Sequence, residues 1–100
     1  MSTNKQITST ITEKGKLEIA ITESSRPVPK DDEVLIEVKA SPINPSDLGA
    51  LIGPADVNTI KIENSKISMD VPESVMWAMK PRLNIPMPVG NEGSGVVIEA

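Results

Sequence analysis

Cysteine, histidine, tyrosine and phenylalanine are missing altogether from this 100-residue chain, and Trp77 is its only aromatic residue. Without cysteine there is neither a disulfide nor a thiolate to attack carbon or bind metal. Without histidine the usual imidazole base and the usual nitrogen ligand are gone. Without tyrosine there is no phenolic acid. Positive charge is also scarce: 10 Lys and Arg stand against 14 Asp and Glu, for a net charge of −4. The basic residues are scattered, which excludes general nucleic-acid binding, because phosphate neutralisation needs them clustered. No stretch approaches the roughly 20 apolar residues of a membrane span. The opening MSTNKQITST carries no apolar core of signal-peptide length, so the expected location is the cytoplasm, away from membranes.

What is present favours strands. Hydrophobic residues make up 38% of the chain; 21 are Ile or Val and only five are Leu. β-branched side chains lose rotamer freedom in helices and fit a pleated surface. Nine prolines and six glycines call for many turns. A chain of this length forms at most one domain and buries roughly two thirds of its unfolded surface. The expectation is a mainly β or α+β domain with short helices.

QITSTI, residues 6–11, alternates, with Ile7, Ser9 and Ile11 on one face. LEIAIT, 17–22, resumes the pattern with Leu17, Ile19 and Ile21 inward, and EKGK between them reads as the turn of a hairpin. SSRPVPKDD, 24–32, is a polar, proline-punctuated loop. EVLIEVKAS, 33–41, is the clearest strand: Val34, Ile36, Val38 and Ala40 are expected inside, Glu37 and Lys39 outside. After Pro42 and Pro45 the period breaks, and Ser46 or Asp47 is expected to cap a short helix through Leu51. Ile60 with Ile62, and Ile67 with Met69, suggest two short strands. DVPE, 70–73, has capping-box spacing before a helix that would put Val75, Met76, Met79 and Leu83 on one face until Pro81 interrupts it. Trp77 on that Met-rich helix is expected in the core, with lining a pocket as its alternative role. NIPMPVG is extended and GVVIE, 95–99, is a last strand. Because the chain stops at Ala100 against that strand, a truncated domain is expected.

Two segments concentrate small polar groups. NPSD, 44–47, reads by itself as an Asx-type turn. GNEGSG, 90–95, precedes a strand instead of opening a helix, so it is no dinucleotide fingerprint and no phosphate cradle. It is either a tight corner feeding a strand or a strained turn that holds Asn91 and Glu92 towards a site.

Taken together, EVLIEVKASPINPSD and PMPVGNEGSGVVIEA resemble the start of the medium-chain dehydrogenase/reductase family, over roughly residues 17–53 and 85–100. The branch most similar is zinc-free and alcohol dehydrogenase-like, with quinone oxidoreductases and 2-enoyl thioester reductases among its members. The resemblance implies a GroES-like, partly open β-barrel catalytic domain. Residues 1–100 would form its N-terminal part, with 54–84 as an insertion bearing a short helix. A nucleotide-binding Rossmann domain is expected downstream.

In zinc-dependent members the segment matching 44–47 begins with Cys and that matching 90–92 reads Gly–His–Glu. Here Asn44 and Asn91 take the places of those two zinc ligands. An amide is a poor Zn²⁺ ligand, so no catalytic zinc is expected. The resemblance makes Asn44, Ser46 and Asn91 the candidate catalytic residues. Asn44 and Asn91 offer amide donors to a carbonyl, and Ser46 matches the relay hydroxyl of the alcohol dehydrogenases. Asn44 would also contact the cofactor, NADPH or NADH, which is bound mainly outside this chain. Asp47 and Glu92 match acids that orient the metal site in those relatives, and in a zinc-free site they would fix the asparagines. GALIGPADVNTIK has no tyrosine where related enoyl reductases carry their proton donor. The implied reaction is hydride transfer to a small electrophile, a quinone, enone or enoyl thioester, by a protein that is a homodimer at full length. The alternatives are a GroES-like interaction module or a nucleotide-sensing paralogue without hydride transfer.

Overall fold

Gly15 takes a positive φ of 79°, and Thr12 closes the turn around it: its N–H donates to Lys16 O at 2.8 Å and its carbonyl accepts from Gly15 N at 3.1 Å. From that turn run strands β1 (Thr3–Ile11) and β2 (Lys16–Ser25), paired antiparallel from Ile11↔Leu17 out to Thr3↔Ser25. The computed structural model describes residues 3–100. The remaining elements in order are β3 (Leu35–Ala40), helix α1 (Pro45–Leu51), β4 (Asp56–Glu63), β5 (Lys66–Asp70), helix α2 (Glu73–Met76), a 3-10 helix (Trp77–Arg82), β6 (Met87–Pro88) and β7 (Ser94–Glu99).

The fold is mainly β. Among the described residues one antiparallel sheet has five strands in the order β4-β5-β2-β1-β6, and a second has two, β3 and β7. The described residues form no closed barrel. Residues 54–84 hold more than a helix: they contribute the β4–β5 hairpin, and β5 is laddered to β2 from Lys16↔Asp70 to Ala20↔Lys66. Among the described residues no helix is long and apolar enough to cross a membrane.

The core sits at the turn end of the first hairpin. Ile11, Leu17, Met69 and Val71 are buried, with Ile19, Ile52, Val75, Met76, Met79 and Leu83 packed around them. The expected inward faces are therefore only partly inward. Ser9 and Ile11 are buried but Ile7 is half exposed, and Leu17 at 0% gives way to Ile21 at 62%. Away from the turn the hairpin outruns the elements that cover it.

Three further expectations are corrected. The strand at 33–41 forms as Leu35–Ala40, but Val34, Ile36, Val38 and Ala40 are exposed rather than inward, because among the described residues β3 lies outside the core cluster and no packed layer covers it. The helix at 73–80 breaks after Met76 into a 3-10 helix. Val75, Met76 and Met79 pack against the core, and Trp77, which lies off the face they share, is 73% exposed and not in the core as expected. DVPE makes no capping box, since Pro72 takes the cap position without a side-chain bond and Asp70 lies in β5, paired with Lys16.

Candidate functional site

Asn44 precedes a proline and is held extended, at φ −102° and ψ 156°, as the ring of the next residue requires. Pro45 then opens α1, a position where its missing N–H costs nothing. The cap of this helix is Asn44, not Ser46 or Asp47 as expected, and Asp47 acts from three residues on. Its Oδ2 accepts the Asn44 backbone N–H at 2.8 Å, while its own N–H donates to Asn44 O at 2.9 Å. Asp47 is buried, and these two bonds fix the Asn44 backbone.

The Asn44 side chain meets the other motif. Its Nδ2 donates to Glu92 Oε1 at 3.1 Å across 48 residues of sequence. Glu92 lies between β6 and β7, on a segment shaped by glycines with separate tasks. Gly90 sits at φ +93°, where side chains are strained. Gly93 lies over Val38: a Cβ there would stand 3.4 Å from Cγ1. At Gly95 a Cβ would collide with the Glu37 carbonyl, so only glycine lets β7 approach β3 this closely.

Beside this junction lies an open cleft of about 690 Å³. Ile7 and Ile21 of the hairpin, Ile36 and Val38 of β3, Leu51 of α1 and Val89 supply its apolar wall; Asp47, Asn91 and Glu92 supply polar groups. Lys5 and Gln6 also border it. The Asn91 amide is exposed and has no hydrogen-bond partner among the described residues. The structure thus brings Asn44, Asp47, Asn91 and Glu92 to one place. Both acids bear on Asn44 and neither on Asn91. Asn44 is not itself a lining residue and borders the cleft through its bond to Glu92, while Ser46 is exposed on α1 and lines no part of it.

Sequence reasoning missed Arg82. Its Nη2 donates to Ala50 O at 3.1 Å and to Ser9 Oγ at 3.4 Å, and Ser9 Oγ donates to Leu51 O at 2.9 Å. A cation and a hydroxyl thereby satisfy the last carbonyls of α1, the end where positive charge is favoured. Burial pushes the Arg82 pKa down, and its Nε has no partner among the described residues. The available signal was Ser9, a polar residue on the inward face of an apolar strand.

Compared with protein-family models and with curated proteins, the chain matches none. Among the described residues no group of three or more Asp, Glu, His or Cys could hold a metal ion.

Proposed function

We propose that this chain is the N-terminal, GroES-like catalytic segment of a zinc-free medium-chain oxidoreductase that uses NADPH or NADH. The observation that carries the reading is the Asn44–Glu92 hydrogen bond, which joins the two motifs on which the family resemblance rests. Two antiparallel sheets and an apolar cleft beside that junction support it further. The reading includes no catalytic zinc, because amides stand where zinc-dependent relatives carry Cys and His.

The cleft suits a small electrophile with an apolar body and one polar end, a quinone, enone or enoyl thioester. Asn91 presents an unpartnered amide there, which fits a carboxamide or a carbonyl; Asn44 has one N–H on Glu92 and the other uncommitted among the described residues. These two amides would hold the nicotinamide and the acceptor. When bound, the dihydronicotinamide supplies the hydride. The residues of this chain orient the acceptor and stabilise the charge that develops on its oxygen. A donor held in place by Glu92 and Asp47 needs no reorganisation as that charge appears. Neither Asn44 nor Ser46 is on the cleft wall; Asn44 borders it through its bond to Glu92, and Ser46, which has no such bond, has the lesser part.

The test is a steady-state comparison in the longer protein. Loss of one such donor typically costs about 2.7–4 kcal/mol, a hundred- to a thousandfold in kcat. Asn44→Ala is expected to lower kcat and kcat/KM together, with the cofactor KM nearly unchanged. Asn44→Asp is expected to be worse, since a carboxylate repels the developing charge, and Ser46→Ala milder. If all three variants fold and stay within about threefold of the parent, NPSD is only a turn and this assignment fails.

A further inference from the structure

Helix α1 is poorly held by its own sequence. It has seven residues, and a helix that short is not stable alone. Burial does little to secure it, since Asp47 is its only buried residue and Leu48 is 44% exposed. What grips its last turn is polar. Arg82 Nη2 donates to Ala50 O, Ser9 Oγ donates to Leu51 O, and Nη2 also reaches Ser9 Oγ. The base of this clamp is fixed. Leu83 forms a bridge to Ile11, and Asn84 N donates to Ile11 O at 2.7 Å, which pins the residues after Arg82 to the buried end of β1. Ser9 is fully buried on the same strand. Gly53 leaves room for the guanidinium, because a Cβ there would stand 3.2 Å from Arg82 Nη1. Arg82 Nε, however, is buried with no partner among the described residues. A side chain that leaves a buried donor unsatisfied is a poor choice for stability alone.

We infer that Arg82 is a positioning residue for the candidate site: by fixing the end of α1 against β1, it sets the Asn44 amide within reach of Glu92. Asp47 ties the Asn44 backbone to the helix, so Asn44 travels with α1. Glu92 does not, because it lies on the segment between β6 and β7. The gripped carbonyls are about 10 Å from Asn44 along the helix, and a small rotation at one end displaces the other. Without the clamp, Ile52 at the C-cap remains packed on the core, but nothing polar fixes the angle of the helix. The single Asn44–Glu92 bond is then the first contact to part. Asp47 and Leu51, which α1 supplies to the cleft, would move with it. The kinetic consequence rests on the proposed function, and the placement of Asn44 does not.

Nitrogen-15 spectra of the protein labelled at asparagine read that placement directly. In Arg82→Met the Asn44 side-chain amide signals should move towards their positions in Glu92→Ala, where the acceptor is gone. Signals of Asn58 and Asn64, in β4 and just after it, should stay. Arg82→Lys should restore the parent signals, because both bonds run through one nitrogen and an ammonium carries three donors. Ser9→Ala keeps Arg82 and should shift the Asn44 signals part of the way, which also serves if Arg82→Met does not fold. Unmoved Asn44 signals in the folded variants overturn the inference, even with a lowered unfolding midpoint, since the clamp would then be merely structural. In the longer protein, Arg82→Met should lower kcat about ten- to a hundredfold. Added to Asn44→Ala, it should cost less than about twofold more, because it acts through that residue. Equal losses in both backgrounds overturn the inference as well. A neutral Asn44→Ala would sink the proposed chemistry alone, and the spectra would still decide the positioning.

Discussion

The turn end of the first hairpin and the β3–β7 ladder use the same kinds of residue and arrive in opposite environments. Ile11, Leu17, Met69 and Val71 are buried where β1, β2 and β5 are covered by α2 and the 3-10 helix. Val34, Ile36, Val38, Val96, Val97 and Ile98 are all exposed. The chain as a whole is extended, with a radius of gyration of 15.6 Å against about 13 Å for a compact domain of this length. Alternation along a strand decides which side chains share a face. It does not decide whether another layer covers that face. The first region is held by apolar burial and the second by its backbone ladder, and the candidate site lies where they meet.

The sharpest way to separate the two is to remove apolar atoms from each. Leu17→Ala leaves a cavity in the buried cluster and should cost about 2–5 kcal/mol, a large part of the stability of any domain this size. Val96→Ala removes atoms already half in water and should change stability by less than about 0.5 kcal/mol. Chemical denaturation of both variants checks this, and equal losses would erase the distinction.

Gly95→Ala attacks the ladder itself. The added methyl meets the Glu37 carbonyl, and the strands must part or shift. Overpacking of this kind costs about 1–3 kcal/mol. Amide exchange should accelerate across β3 and β7 and stay slow in β1 and β2. Uniform acceleration would show the two regions to be one cooperative unit.

The smallest effect is electrostatic, and each region supplies a carboxylate whose pKa an ion pair lowers. Lys16 holds the Asp70 carboxyl below its ordinary pKa across the β2–β5 ladder, and Lys39 does the same for Glu37 within β3. A carboxylate whose pKa is lowered by folding stabilises the fold above its unfolded pKa. That contribution fades as pH falls through the folded value. The acid limb of the denaturation midpoint should therefore be slightly shallower in Asp70→Asn than in the parent. Because both side chains are exposed to solvent, salt should remove the difference. An identical acid limb at low salt would mean the pair contributes nothing.

Much of the fold was legible because its signals are local. The alternation of Leu17 and Ile19, the glycine at position 15 and the β-branched run before Ser41 each specify an element without reference to the rest. Even the weaker pairs, Ile60 with Ile62 and Ile67 with Met69, marked β4 and β5. Cover was not legible, since the exposure of Val38 depends on which elements lie opposite. Trp77 misled for a related reason: its size and apolar neighbours suggested the core, but it lies off the face that Val75, Met76 and Met79 share. At the site, the Asn44–Asp47 interaction is local, an acid three residues after a helix cap, yet it was missed because the cap was expected at Ser46 or Asp47. The Asn44–Glu92 contact is not local, and family resemblance was what set the two motifs side by side. Arg82 carried no local mark, because a basic residue after a proline ordinarily reads as a solvated turn.

The distance in sequence between those motifs has a kinetic consequence. Closing the hairpin around Gly15 constrains a few residues, whereas joining Asn44 to Glu92 spans 48. Loop-closure entropy grows as the logarithm of length, so the longer closure costs about 2 kcal/mol more before any contact repays it. The β3–β7 ladder offers little burial in return. This predicts an order of assembly in which the hairpins form first and the site closes last. Pulse-labelled hydrogen exchange during refolding should protect residues 17–21 before residues 94–99. On the ribosome the same geometry means that the asparagine made early must wait for the glutamate made late, and until then its amide is solvated by water alone.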